Sequence, residues 1–422
     1  MYQDTIHPEI SSPDERKALF DKCFSQSYYA NLAAGWFYSS PIHNVKRDNI
    51  VEWLLWALFY TRPADQPSEW EEEINDYVSR MEGLIGHTFE PGRNDGVTSM
   101  RLTLDPVPSL HRPLLWYSVV GLVDTYTIGS LYRHGLWHFS LENRLSVFPF
   151  RPTTFLSKTS VAPRVSYWYR PHRSSTKKPI LLFHGIGIGL LPYVPFLAEL
   201  LSEDPDVGLI AVEILSISMR ITPAPLDRKA MLEAITQILD FHSFQDVVLV
   251  GHSYGTIIAA HMLRDPVLST RVVASLLVDP IPFLLHLPAV AYNFVYRTPR
   301  MANEWQLWYF TGRDLDISRT LSRHFFWAQN ILWKEDLVDH RISVVLSGRD
   351  QIVDTREVWQ YLTGEALPSP NPGVSHSSWQ KDNWEVLYFP DLDHSNVFDT
   401  AALRRPVVSM ITKFTEIDNS RE

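Results

Sequence analysis

Val247-Val248-Leu249-Val250-Gly251-His252-Ser253-Tyr254-Gly255 decides the reading of this chain. Four apolar residues, three of them β-branched, stop at Gly251, and a helical pattern starts almost at once, from Tyr254 to Leu263. A strand must therefore pass into a helix through a very tight turn, with Ser253 at its tip. Gly251-x-Ser253-x-Gly255 is the spacing of a nucleophile elbow. The serine of such a turn holds a strained backbone conformation, and a side chain two residues to either side would collide with the turn, so both positions call for glycine. Three common residues alone are a weak match; their place between a strand and a helix gives them weight. The competing reading is a Gly-rich turn that packs a helix closely on a sheet.

A serine hydroxyl is a poor nucleophile at neutral pH. It needs a base within hydrogen-bond reach and an acid to orient that base. In an elbow architecture the acid and then the histidine follow the serine along the chain. Val344-Val345-Leu346-Ser347-Gly348-Arg349-Asp350 is an apolar run closed by a Gly-containing turn, which puts Asp350 just past the carboxyl end of a strand. Asp354 reads as the N-cap of the next helix, and Asp279, in Leu277-Val278-Asp279-Pro280, is the alternative acid. The candidate base is His394, between the last strand and the last helix; His376 ranks below it. His252, beside the serine, is expected to point away from the base and bond locally.

An anion site is expected after another strand. Ile180-Leu181-Leu182-Phe183 leads into His184-Gly185-Ile186-Gly187-Ile188-Gly189. Backbone N–H groups of such a loop, with the N–H of the residue after the nucleophile, can stabilise an oxyanion. Ile186, Gly185 and Tyr254 are the candidate donors. A nucleotide loop is the rival reading. However, the spacing is G-x-G-x-G, the Gly-Lys-Ser/Thr ending of a phosphate cradle is absent, and only Glu213 offers an acid at the end of the next strand.

The rest of the chain divides in two. From about residue 161, short apolar runs alternate with helical stretches, the mark of an α/β sheet. Strands are expected at Arg164–Tyr169, Ile180–Phe183, Gly208–Glu213, Val247–Val250, Val272–Val278, Ile342–Leu346 and Glu385–Phe389. Helices fall near Val194–Leu201, Arg228–His242, Tyr254–Leu263, Thr355–Leu362 and Ser395–Phe414. Basic Arg170–Lys178 reads as an exposed hairpin loop, and Pro-rich Gly364–Asn383 as a mobile surface loop. Residues 1–150 read as a mainly helical extension. Helices are expected over Asp14–Phe24, from Asn49 to Tyr60, from a Ser68/Glu71 capping box to Met81 with Gly83 closing it, and from Pro113 to about Leu136. Leu114–Leu131 has one charge, Asp124, and approaches membrane-spanning length. Asp124 near its middle would be costly in lipid, so a core helix or one lying on a membrane surface is expected instead.

Composition sets bounds. Of 422 residues, 45% are hydrophobic and 20% charged, which is ordinary for a soluble globular chain. A formal net charge of −10 argues against nucleic acid as a main partner. Cys23 is the single cysteine, so no intrachain disulfide forms, and no secretory leader pattern precedes the fold. A reducing, cytoplasmic setting is the expectation, with peripheral membrane contact left open.

These motifs together resemble the α/β-hydrolase fold, in its serine-hydrolase branch of the AB hydrolase-1 type, over about residues 160–416. The matching pieces are His184-Gly185, Gly251-His252-Ser253-Tyr254-Gly255, Gly348-Arg349-Asp350 and Asp393-His394. The resemblance implies a mostly parallel central sheet flanked by helices, with Ser253 as nucleophile, His394 as general base and acid, and Asp350 as its orienter. Epoxide hydrolases and haloalkane dehalogenases of this fold carry Asp at the elbow, so Ser253 disfavours those chemistries. A lid often follows the sixth strand of this fold, and residues 281–340 fit one. The excess of aromatics there, including Phe283, Trp305, Trp308 and Trp333, points to an apolar acyl or ring-bearing substrate. The expected activity is hydrolysis of carboxylic esters, thioesters or lactones without metal or cofactor. The rivals are acyl transfer with the same machinery, C–C bond cleavage and ligand binding without turnover.

Overall fold

The structure, a computed structural model, describes residues 7–24, 35–369 and 375–416. Ten strands form one sheet: β1 (Trp137–Ser140), β2 (Lys158–Thr159), β3 (Ser166–Arg170), β4 (Ile180–Phe183), β5 (Leu209–Glu213), β6 (Val247–His252), β7 (Val272–Val278), β8 (Ile342–Ser347), β9 (Ser377–Lys381) and β10 (Trp384–Phe389). Their order across the sheet is β2-β1-β3-β5-β4-β6-β7-β8-β10-β9. The six strands from β5 to β10 in that order run parallel. They read as near-continuous Val, Ile and Leu because both faces are covered, the condition that parallel sheets require. Tyr254 lies against one of the two apolar cores that this sheet separates, while Tyr193 and Phe398 belong to the other.

All seven expected strands are present, with small shifts of boundary. The expected hairpin at Arg170–Lys178 is absent: β3 is antiparallel to β5, and β4 lies beyond β5. Pairing is thus decided by partners distant in sequence, which local periodicity does not report. Within Gly364–Asn383, part of which lies outside the described residues, Ser377–Lys381 is a strand, turned back onto β10 by Asp382 at φ 52°. β1 is a further strand that the sequence does not announce: the helix Leu114–Arg133 stops short and Trp137–Ser140 enters the sheet between β2 and β3. The helix Glu71–Ile85 carries Gly83 inside it and ends on Gly86 at φ 70°, so the left-handed cap falls one turn later than expected. Asn49 sits inside the helix Arg47–Phe59, where its Oδ1 accepts from the Lys46 N–H at 3.2 Å.

One buried charge cluster joins the extension to the sheet. Arg151 donates to Asp124 at 2.6 Å and to Glu213, at the end of β5, at 2.8 Å. Arg220 donates to Asp124 at 2.6 Å, and His138 and Trp168 contact the Glu213 carboxylate. Burial works against the charge on Glu213, but Arg151 and His138 hold its carboxyl well below the usual range. Asp124 therefore faces protein, and no helix among the described residues is long and apolar enough to cross a membrane. Glu213, the one acid a nucleotide reading had available, is spent in this cluster.

The segment after β7 folds over the sheet's carboxyl edge as short helical pieces. They include Ala302–Gln306, the wide turns Tyr292–Tyr296 and Leu307–Gly312, and the helix Leu315–His324. The extension holds this cap. The Tyr296 hydroxyl donates to Asp105 at 2.7 Å, Trp327 Nε1 donates to the Ala57 carbonyl at 3.0 Å, and the Leu110 N–H donates to the Arg313 carbonyl at 2.9 Å.

Candidate active site

Ser253 sits between β6 and the helix Gly255–Leu263 at φ 51°, in the left-handed region that a non-glycine residue occupies only under constraint. Two contacts provide that constraint. The Ser253 N–H donates to the Val278 carbonyl at the end of β7 at 3.0 Å, and its carbonyl accepts from the Thr256 N–H at 2.9 Å. A Cβ at Gly255 would stand 2.3 Å from the Phe183 carbonyl oxygen of β4, so close packing of helix on sheet demands glycine there.

His394 Nε2 lies 2.8 Å from Ser253 Oγ, and His394 Nδ1 lies 2.7 Å from Asp350 Oδ2. The three residues come from three separate loops at one edge of the sheet, after β6, β8 and β10. Asp350 Oδ1 accepts the N–H groups of Ile352 and Val353 at 2.7 and 2.9 Å, which fixes the carboxylate's orientation. With Nδ1–H donated to Asp350, a neutral His394 presents its Nε2 lone pair to the serine. Burial works to lower the His394 pKa, but the charges of Asp350, Asp279 and Asp393 outweigh it and raise it to about 9.

The other candidates divide. Asp354 caps its helix, accepting the Glu357 N–H at 3.2 Å. His376 is bonded to Ser375, away from the serine. Asp279 does not hold the His394 ring nitrogen. Its Oδ1 accepts the Ser347 N–H at 3.1 Å and its Oδ2 the Ser395 N–H at 2.7 Å, so it ties the end of β8 to the residue after His394. Burial raises its carboxyl to about 6. His252 differs from expectation in part: it bonds locally, yet its ring lies 5.5 Å from that of His394.

Two histidines fix the loop after β4. His184 is fully buried, its Nδ1 at 2.8 Å from the Gly185 carbonyl and its Nε2 accepting the Ile214 N–H at 2.9 Å, and burial lowers its pKa to about 4. The Gly185 N–H donates to the Tyr193 hydroxyl at 2.9 Å, and that hydroxyl, its acceptor side so engaged, gives its own proton to His252 Nδ1 at 2.5 Å. His252 Nε2 then faces Asp279 at 3.8 Å. The Gly185 N–H is thus already engaged, whereas the N–H groups of Ile186 and Tyr254 have no protein acceptor among the described residues. A Cβ on Gly185 would come within 2.8 Å of both the His252 ring and Ser253 Cβ. Tyr193 is the residue that sequence reasoning missed: nothing local marks a tyrosine in a helix-like run as a partner for a loop N–H.

Asp279, Asp350 and His394 bring ligand-type atoms within 4.8 Å of one another. Each of those atoms is already engaged in a hydrogen bond to a backbone N–H, to the imidazole or to the serine, so the donor set suits a hydrogen-bonded relay. The cap reaches this site: Asn303 donates to Asp393 at 2.7 Å, and Arg297 to the Gln351 carbonyl at 3.0 Å. Asp393 in turn accepts the N–H of His394 at 2.7 Å. A cleft of 1380 Å³ touches the site only at Tyr254: it runs past Leu226, Met231 and Ile258 among polar and charged groups, and Ser253, Asp350 and His394 are not in its wall.

An elbow serine at the carboxyl edge of a mostly parallel sheet, under a helical cap, defines a hydrolase-type fold. The chain belongs to the alpha/beta hydrolase family, whose model matches residues 180–403. No curated protein matches it. Among solved structures it is similar to naproxen esterase (carboxylesterase NP) from Bacillus subtilis, with 13% identity and a TM-score of 0.42 over 73% of this chain and 99% of that one. It is similar to the esterase RhEst1 from Rhodococcus sp. ECU1013, with 15% identity and a TM-score of 0.40 over 59% and 96%. A third is the 2-hydroxy-6-oxo-6-phenylhexa-2,4-dienoate hydrolase of Rhodococcus sp. strain RHA1, with 14% identity and a TM-score of 0.38 over 59% and 94%.

Proposed function

We propose that this protein is a serine hydrolase that cleaves carboxylic ester, thioester or lactone bonds of hydrophobic substrates. The observation that carries the reading is the double contact of one imidazole, with Nε2 on Ser253 Oγ and Nδ1 on Asp350. Neutral His394 takes the hydroxyl proton as Ser253 Oγ attacks the carbonyl carbon. The carbonyl π pair moves onto oxygen, where the N–H groups of Ile186 and Tyr254 receive it. A donor of this kind is worth about 3 kcal/mol of barrier. Collapse expels the alcohol, which leaves with the proton from His394, and an acyl-Ser253 ester remains. Water then gives its proton to His394, attacks the acyl carbon and releases the acid. Asp350 keeps the ring in the productive tautomer throughout and stays ionised.

Phe325 of the cap, whose ring lies 6.2 Å from that of Tyr254 beside the nucleophile, favours an acyl or ring-bearing substrate. Steady-state hydrolysis of p-nitrophenyl esters of graded acyl length tests the proposal. A rise in kcat/KM with chain length, abolished in Ser253→Ala, is expected. Turnover that persists in Ser253→Ala, or a preference for the acetyl ester alone, would contradict it.

A further inference from the structure

The helix Leu114–Arg133 turns one face to the protein and one to solvent, and both faces are apolar. The inner face holds Val120, Asp124 and Ile128, with Asp124 neutralised by Arg151 and Arg220. On the outer face Leu114, Leu115, Leu122 and Tyr126 are each exposed by 66% or more, and Val119 by 49%. That face bears no acid, and its only charge, Arg133, lies in the last turn. Its Ser and Thr hydroxyls, though exposed, are bonded to the helix's own backbone: Ser118 Oγ donates to the Leu114 carbonyl at 3.0 Å and Thr125 Oγ1 to the Gly121 carbonyl at 2.8 Å. An exposed apolar stripe of this size marks an interaction surface.

The stripe continues on both flanks. At its start Trp116 stacks on Phe310 of the cap at 5.6 Å, beside Trp305 and Tyr309, which are also exposed. Along its side Tyr117 meets Phe148 at 5.0 Å, and the strap beyond leads to Phe150, Phe155 and Leu156, all exposed. Aliphatic side chains with Trp and Tyr at the margin suit a headgroup layer.

Charge identifies the partner. Residues 106–198 carry ten Arg and Lys against two acids, Asp124 and Glu142; Arg112 and Arg151 are buried, and Lys177 and Lys178 are paired with Asp204 and Asp246, which leaves the cations beside the stripe to set its charge. Arg133, Arg144 and Lys158 lie at the far end of the stripe, and none has a carboxylate partner among the described residues. Lys158 stands over the exposed ring of Trp137 at 5.2 Å, and Arg144 donates to the Ser157 carbonyl, next to Leu156, at 3.0 Å. A second copy of the chain would bring no acid of this face to meet these cations, because a two-fold interface pairs a patch with itself.

We propose that this face docks the protein on an anionic lipid surface, with the helix lying in the headgroup layer and the cap beside it. The contact is monotopic, and apolar burial and basic residues contribute together. It stands independently of the hydrolytic reading, since it is read by binding alone.

Co-sedimentation of the full chain with vesicles of pure phosphatidylcholine, or of phosphatidylcholine mixed with phosphatidylglycerol, tests this. The wild type pellets with the mixed vesicles, and less so at high salt. Leu115→Glu/Leu122→Glu binds them at least about tenfold more weakly, the loss expected for withdrawing two leucines from an apolar layer. Arg133→Glu/Lys158→Glu loses the preference for phosphatidylglycerol. Both double variants keep the wild-type thermal midpoint, because these side chains are at the surface. Failure of the wild type to pellet with mixed vesicles, or equal pelleting by Leu115→Glu/Leu122→Glu, overturns the proposal. So does a wild-type dimer in light scattering that the same variant dissociates, which would assign the face to a second copy.

Discussion

Asp279 accepts the N–H of Ser395 at 2.7 Å, and Ser395 follows His394 directly. The same carboxylate accepts the Ser347 N–H at the end of β8, three residues before Asp350. One buried acid therefore sets the relative position of the loops that carry the proposed base and its orienter. Asp279→Asn leaves one acceptor and replaces the other by an N–H that opposes an N–H. A fall in kcat of about ten- to a hundredfold is expected from a lost hydrogen bond to a charged group. Removing the Asp279 charge also lowers the His394 pKa, so the ascending limb of kcat against pH moves to lower pH. A merely structural residue would reduce kcat and leave the limb in place.

Asp350→Asn acts on the tautomer. The amide presents a donor where Nδ1–H needs an acceptor, so the Nε2 lone pair is no longer held toward Ser253. A loss of about 10⁴ in kcat is expected, the size seen when this role is removed in a Ser-His-Asp relay. Comparison of Asp350→Asn with Asp279→Asn by steady-state kinetics separates the orienter from the loop tie.

The wild-type pH profile follows from the sign of the His394 shift. Its folded pKa is raised to about 9, above an ordinary histidine near 6.5, so the imidazolium persists to higher pH. Only the neutral ring can accept the serine proton. The kcat/KM profile is therefore expected to rise with pH on a limb displaced above 6.5 toward 9. The linked stability is fully present below pH 6.5 and is lost as pH rises through about 9. Thermal midpoints across that interval should fall, and fall less in His394→Ala.

Breaking the cluster that joins the helix Leu114–Arg133 to the sheet should be costly. In Asp124→Ala the Arg151 and Arg220 guanidinium groups remain buried with one acid fewer, and about 3–5 kcal/mol of stability is expected to be lost. Denaturant unfolding measures it. A variant within 0.5 kcal/mol of wild type would show that the cluster does not anchor the extension.

Much of the site is legible in the sequence, for a physical reason. Ser253, Asp350 and His394 each follow an apolar run, and a polar residue just past a strand's carboxyl end is placed by the sheet itself. The turn at Ser253 is further marked by glycine at 251 and 255, where a Cβ meets backbone. Residues whose roles depend on tertiary neighbours carry no such mark. Tyr193 serves the Gly185 N–H across a helix start, and Asp279 serves two loops distant in sequence. The pairing of β3 with β5 and the strand at β1 were hidden likewise, since periodicity reports a strand's faces and not its partner.

The most direct test of the central claim is the mass of the protein after reaction with a fluorophosphonate. An activated serine displaces fluoride from phosphorus and keeps the phosphonyl group, so one adduct per chain on the peptide that contains Ser253 is expected. The adduct should be absent in Ser253→Ala and strongly slowed in His394→Ala. A folded wild type that gains no mass, or an adduct that persists in Ser253→Ala, would contradict a serine hydrolase at this site.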